Sequence, residues 1–233
     1  MKDFVIKNGK KLRCGFTTGT CATAAAAAAV MMIFTGKTVE SVAVTLPEGE
    51  ILFIDIVNPS FNVEGTRCYV KKDSGDDPDI TDGILVCADV RLDDTGKINI
   101  EGGSGVGRVT QKGLDQPVGE AAINSVPRKM ISENIEKICR QYKYYGGITV
   151  IISVPDGEKI AKKTFNPNLG IIGGISIIGT TGIVEPMSEK ALIDSLKLEM
   201  NVIKEKGYDK LIAFPGNYAE KFLGEQLGIR GEN

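Results

Sequence analysis

Alanine fills positions 22 and 24 to 29, broken only by Thr23, and this run constrains the fold more than any other part of the chain. Alanine is the strongest helix former. Thr17, Thr18 and Thr20 just ahead of the run are good N-cap residues, and Gly36 is a natural stop. The pattern predicts a loop-to-helix junction and a helix over Cys21 to Phe34. Lys2, Lys7, Lys10, Lys11 and Arg13 precede the run, which loosely imitates a secretory signal. However, the polar Gly15-Phe16-Thr17-Thr18-Gly19-Thr20 separates the basic and apolar parts, and a bilayer span needs about 20 apolar residues. The expectation is a soluble cytoplasmic protein with no membrane partner.

Beyond this helix, Val39 to Leu46 and Ile51 to Val57 flank Pro47-Glu48-Gly49 and read as a hairpin. Further strands are expected at Arg67 to Lys71, Ile84 to Arg91 and Lys97 to Ile100. A helix is expected from Glu120 to Tyr142, interrupted near Pro127. Ile148 to Val154 suits a buried strand, and a turn at Asn166-Pro167 marks a domain boundary. The rhythm then becomes strand Gly174 to Ile178, helix Ser188 to Lys206, strand Lys210 to Phe214 and helix Tyr218 to Leu227. The fold class is thus α/β: an α+β domain over 1–166, followed by a smaller Rossmann-like parallel region over 167–233.

The inventory limits the chemistry. With no histidine in the chain, imidazole catalysis and histidine-based metal sites are excluded. Cys14, Cys21, Cys68, Cys87 and Cys139 are odd in number and include no C-x-x-C pair, so no disulfide framework and no protein metal site are expected. The 28 basic and 30 acidic residues nearly cancel, which argues against a nucleic-acid partner and requires any anionic ligand to be held locally.

Four segments carry candidate chemistry. Arg13-Cys14-Gly15-Phe16-Thr17-Thr18-Gly19-Thr20 places hydroxyls and helix-start N–H groups where an anion could bind, or is simply a helix cap. Lys72-Asp73-Ser74-Gly75-Asp76-Asp77-Pro78-Asp79 packs carboxylates closely enough to raise one another's pKa and create a proton acceptor, or is a solvated acidic turn. Gly102-Gly103-Ser104-Gly105-Val106-Gly107-Arg108, with Glu120, Asn124 and Arg128 downstream, fails the phosphate-loop spacing. It does supply guanidinium groups for carboxylates, or is a surface loop. Gly179-Thr180-Thr181-Gly182, followed by Glu185, forms a strand-to-helix turn suited to a cofactor, or is a tight connection.

In order and wording, L-R-C-G-F-T-T-G-T-C-A, K-K-D-S-G-D-D-P-D, G-G-S-G-V-G with E-A-A-I-N-S-V-P-R, and L-G-I-I-G-G-I-S-I-I-G-T-T-G-I-V-E-P-M-S resemble the CbiD family from about Leu12 to the C-terminal end. The resemblance implies methylation of C1 of cobalt-precorrin-5B to cobalt-precorrin-6A. S-adenosylmethionine would be the donor, and cobalt would be present only inside the tetrapyrrole substrate. On that reading Asp73, Asp76 or Asp77 relays a proton. Arg13, Thr17, Thr18, Thr20, Lys72, Ser104, Gly105, Arg108, Glu120, Asn124 and Arg128 bind substrate, and Gly179, Thr180, Thr181, Gly182 and Glu185 hold the cofactor.

Family members continue past the equivalent of Asn233 with further strands and a histidine-glycine-lysine segment. The second region is therefore expected to be incomplete, with a sheet edge through which the chain forms a homodimer. Two rival readings are a small-molecule kinase using Gly102 to Gly107 as a phosphate loop, and a non-catalytic corrinoid-binding module.

Overall fold

The computed structural model describes residues 3–208. Helix α1 spans Thr18–Thr35; Thr17 Oγ1 accepts the Thr20 N–H at 3.2 Å, and Gly36 closes the helix in the left-handed region with its N–H on Met32 O. The sequence places these caps correctly because both are local interactions. Ala22 and Ala24 to Ala29 are completely buried. Side chains this small let neighbouring backbones come close, and Thr66 Oγ1 on an adjacent strand donates directly to Ala29 O at 2.8 Å. Among the described residues α1 is the one helix long and apolar enough to cross a membrane, yet it lies largely inside the protein.

The chain enters α1 through a hairpin, β1 (Phe4–Lys7) with β2 (Lys10–Arg13), and the two-residue strand β3 (Gly15–Phe16). It leaves into the expected hairpin β4 (Ser41–Thr45) and β5 (Ile51–Asp55), which alternates buried Val42, Val44, Leu52 and Ile54 with exposed residues. β6 (Val57–Phe61), β7 (Thr66–Lys71), β8 (Leu85–Asp93), β9 (Ile98–Gly102) and β12 (Gly147–Ser153) form a five-stranded sheet in the order β6-β7-β8-β12-β9. Only the β12–β9 pair is parallel. Its crossover contains α2 (Ser125–Gln141), as a parallel connection requires. The sheet and α2 sandwich α1, joining Val70, Val86, Val150, Ile131 and Ile135 in one core. Asn134 of α2, buried, ties the hairpin down: its side chain accepts from Thr45 N at 2.9 Å and donates to Thr45 O at 3.0 Å.

Short strands complete the fold. β10 (Gly105–Val106) runs parallel to β14 (Gly174–Ile175), β11 (Arg108–Val109) antiparallel to β13 (Ile171–Ile172), and β15 (Ile183–Val184) antiparallel to β3. A short helix α3 (Gly157–Ala161) lies between β12 and β13, and α4 (Glu189–Glu205), capped by Ser188, follows β15.

Two expectations change. α2 begins at Ser125, not Glu120, and Pro127 sits in its first turn without interrupting it, where its missing N–H costs nothing. The preceding residues are instead used in bridges from Arg108 to Ala121 and from Ile123 to Ile177. The strand expected over Gly174 to Ile178 is regular only at Gly174–Ile175. The strand and helix expected over 210–227 lie outside the described residues. The overall class is mixed α/β.

Because no space surrounds the alanine stripe, Ala26→Leu should destabilise the fold by about 1–3 kcal/mol through overpacking. Urea denaturation followed by circular dichroism measures this, with a lower midpoint expected.

Candidate functional site

The N-terminus of α1 is where the first, second and fourth sequence motifs meet. Thr18 Oγ1 lies within hydrogen-bonding distance of Ser176 O and Ile178 O, and accepts the Ile178 N–H at 2.9 Å. Thr20 Oγ1 donates to Gly182 O at 2.7 Å. The main chain adds Gly19 N to Ile178 O at 2.9 Å and Thr17 N to Gly182 O at 3.0 Å. The hydroxyls of Thr18 and Thr20 and the N–H groups of Thr17 and Gly19, expected to face an anion, are therefore spent on main-chain groups of the 176–182 segment. Those carbonyls, negative ends of peptide dipoles, occupy the place at the helix N-terminus that a ligand anion would take.

The same contact explains the glycine turn. Gly179 has φ +144°, and a Cβ there would lie 2.2 Å from Thr17 Oγ1; at Gly182 it would meet Leu46 and Thr20. The expected cradle for an adenosyl group is thus filled by the protein itself. Thr180 is exposed, and Thr181 and Glu185 are half-buried on the outer rim, in a groove shared with Leu46, Glu48, Glu50 and Ile183.

Against the other side of this junction lies the acidic loop. Arg13 makes a two-pronged contact with Asp73, Nη1 to Oδ2 at 2.6 Å and Nη2 to Oδ1 at 2.8 Å. Main-chain bonds run both ways: Arg13 N donates to Asp76 Oδ2 at 2.6 Å, Asp76 N to Arg13 O at 2.9 Å, and Phe16 N to Asp73 O at 2.8 Å. Asp77 Oδ1 accepts the N–H of Met187, a left-handed residue, at 3.0 Å and so fastens the loop to the segment after β15. Arg13 is therefore committed to the chain's own carboxylate.

Beneath the loop is a buried polar cluster. Lys72, with a side chain only 2% exposed, donates to Ser74 Oγ and, at 2.7 Å, to Asp79 Oδ2, while Asp79 Oδ1 accepts from the Thr81 N–H and hydroxyl. The Ser74 N–H goes to Asp82 at 2.8 Å. Sequence reasoning placed Lys72 among substrate clamps, but burial and these partners give it the task of holding the loop. The hydrogen bonds from Arg13 hold the Asp73 carboxyl below its ordinary pKa. Burial pushes Asp79 up, but the bonds from Lys72 and Thr81 together outweigh it, leaving it below its ordinary value. Neither carboxylate is a good proton acceptor near neutral pH. The thiol of Cys21, next to this cluster, is pushed up to about 12 by burial.

The third motif sits elsewhere, along the outer edge of β9. Ser104 is exposed, and a Cβ at Gly105 would lie 1.9 Å from Val154 O, so this loop is packed against protein rather than open to a phosphate. The geometry disfavours the kinase reading. Arg108 donates toward Gly119 O and Gly102 O. Arg128 donates to Ile123 O and Ile100 O and has Glu120 at 4.0 Å. Asn124 caps α2 through its backbone, its N–H on Ile177 O, while Asp115 accepts the Ser125 N–H at 2.5 Å. Asp115 was not anticipated, because a capping carboxylate ten residues upstream leaves no local spacing signal. Among the described residues no group of three or more acidic or cysteine ligands could hold a metal ion.

The sequence profile of the CbiD family matches residues 5–186, which include all of these segments. The chain belongs to the CbiD family. It is 51% identical over 229 residues to a cobalt-precorrin-5B C(1)-methyltransferase of Ruminiclostridium cellulolyticum, covering 98% of this chain and 59% of that protein. It is 50% identical to the protein of the same name from Alkaliphilus oremlandii, covering 97% and 62%. The crystal structure of the cobalamin biosynthesis protein CbiD from Archaeoglobus fulgidus superposes with a TM-score of 0.63 at 34% identity, covering 97% of this chain and 71% of that one. The CbiD chain here thus spans about three-fifths of the length of the curated relatives it matches.

Two predictions follow from the site. Replacing Gly179 by alanine forces a Cβ onto Thr17 at a backbone angle that L residues avoid, and should cost about 1–3 kcal/mol, read as a lower thermal midpoint. Both Asp73 and Asp79 have folded pKa values below the ordinary one. Their stabilisation is therefore complete above the ordinary aspartate range and lost as pH falls through it toward the folded values. Asp79→Asn leaves Lys72 buried against a neutral partner and should cost about 3 kcal/mol near neutral pH. Urea midpoints measured from about pH 6 down to about pH 2 should fall steeply for the wild type and less for this variant.

Proposed function

We propose that this protein transfers a methyl group from S-adenosylmethionine to C1 of cobalt-precorrin-5B, giving cobalt-precorrin-6A. The observation that carries the reading is the family match over residues 5–186, joined to relatives named for that reaction at about half identity. Methyl transfer from a sulfonium to a nucleophilic ring carbon needs no protein nucleophile, and alignment of donor and acceptor supplies much of the acceleration. The protein's own groups agree with direct transfer: burial holds the thiols of Cys21 and Cys68 up at about 12 and that of Cys87 at about 11, and raises that of Cys139, so none of these four is a ready thiolate.

The glycines of the 179–182 turn do not fit an adenosyl group, since Thr17, Thr20 and Leu46 fill the space beside them. No step is assigned to that turn. Of the three aspartates considered for proton transfer, Asp73 is neutralised by Arg13 through both oxygens. Asp76 and Asp77 are each bonded to a main-chain N–H through one oxygen, and the proton leaving the macrocycle is assigned to this pair.

The test is an anaerobic incubation of the protein with both substrates, followed by mass spectrometry. It should yield singly methylated tetrapyrrole and one equivalent of S-adenosylhomocysteine. Substituting asparagine at both Asp76 and Asp77 should lower kcat by about a hundredfold. A folded protein that yields no methylated product contradicts the reading, and undiminished turnover in the double variant removes the two aspartates from proton transfer.

A further inference from the structure

Strand β9 forms the outer edge of the five-stranded sheet, and its pairing leaves a row of carbonyls facing away from the sheet. Ile148 N donates to Lys97 O, and Gly103 N donates to Ile152 O. Odd-numbered residues of this strand therefore bond to β12, and the carbonyls of Ile100 and Gly102 point outward. Both of these carbonyls are met by a guanidinium. Arg128 Nη1 donates to Ile100 O at 2.7 Å, and Arg108 Nη2 reaches Gly102 O at 3.5 Å. Two residues apart on one strand edge, these anchors are about 7 Å apart.

Each arginine is held a second time, Arg128 by Nε on Ile123 O at 2.9 Å and Arg108 by Nη1 on Gly119 O at 3.2 Å. Their orientation is fixed by the main chain, and among the described residues no carboxylate makes a close contact with either. Glu120 Oε2 stays 4.0 Å from Arg128 Nη2, beyond hydrogen-bonding distance. That Nη2 is one of two buried side-chain polar atoms without a hydrogen-bond partner among the described residues. A buried donor left unmatched is costly and calls for a partner.

We infer that Arg108 and Arg128, pre-oriented on the edge of β9, receive two carboxylates of the ligand's periphery about 7 Å apart, and that Glu120 is the internal competitor which they displace. The inference rests on the tetrapyrrole reading above, because a ring fringed with acetate and propionate groups offers pairs of carboxylates at such a spacing. Guanidinium–carboxylate pairing is short, directional and charge-assisted, so arginines already immobilised by backbone carbonyls lose little further freedom on binding.

The test is a titration of the protein with two cobalt corrinoids, one with its peripheral carboxylates free and one with them converted to neutral amides. The wild type should bind the acid about tenfold or more tightly than the amide, a difference that charged hydrogen bonds can supply. Arg108→Gln and Arg128→Lys should remove most of that preference by weakening acid binding far more than amide binding, and Glu120→Gln should tighten acid binding several-fold. If the wild type prefers the acid and all three variants keep the same preference, the subsite is overturned while the tetrapyrrole reading stands. If the wild type binds neither corrinoid, that reading falls and the subsite with it. Arg108 and Glu120 are exposed, so their variants decide the matter even if the half-buried Arg128 proves necessary for folding.

Discussion

A helix whose middle carries almost nothing but alanine sets the terms for this protein. The alanines of α1 cannot fill space, so sheet and second helix must close on its backbone, and stability comes from close approach across the whole length of the helix. Such a helix has no long polar groups with which to anchor its ends. Its C-terminus is closed locally, by the Gly36 N–H on Met32 O and the Thr35 hydroxyl on Met31 O. Its N-terminus, buried in the molecule, needs partners from far along the chain, and these are the carbonyls of Ser176, Ile178 and Gly182. The threonines ahead of the alanines are the means of that attachment, and the glycines at 179 and 182 are its steric condition.

The acidic loop obeys the same logic in electrostatic terms. Crowded carboxylates repel unless each finds a donor, and here Asp73, Asp76, Asp77, Asp79 and Asp82 each accept a hydrogen bond from an arginine, a lysine or a main-chain N–H. Three of those donors belong to Arg13 and Met187, so the loop links the chain's entry into α1 to the segment beyond β15. Charge that looks reactive in the sequence is largely internal scaffolding. Much of the binding chemistry is then left to groups outside the knot, and the two arginines held on the β9 edge lie outside it.

The divide between what could and could not be read in the sequence follows the range of the interactions. The caps of α1, the hairpin around Pro47-Glu48-Gly49 and the start of α4 at Ser188 are local, and each was legible in the residues themselves. The start of α2 was misplaced because Ala121 and Ile123 bridge to Arg108 and Ile177, contacts that leave no trace in periodicity. The spacing of Thr17, Thr18 and Thr20 announces donors at a helix start, but cannot say whether the acceptor is a ligand or a carbonyl some 160 residues away. Likewise the sequence marked Arg108 and Arg128 as basic, while the strand edge that orients them exists only in the fold.

The segment around 176–184 is part of the core, locked to α1, and not an appendage laid against it. Amide hydrogen exchange measured residue by residue tests this most directly. The N–H groups of Phe16, Thr17, Gly19 and Ile178 should exchange as slowly as those of β7, β8 and β12, through opening of the whole fold. Rapid exchange at these four positions while the sheet remains protected would contradict it, since the segment would then be detaching by itself and the threonine hydroxyls would be free to meet a ligand.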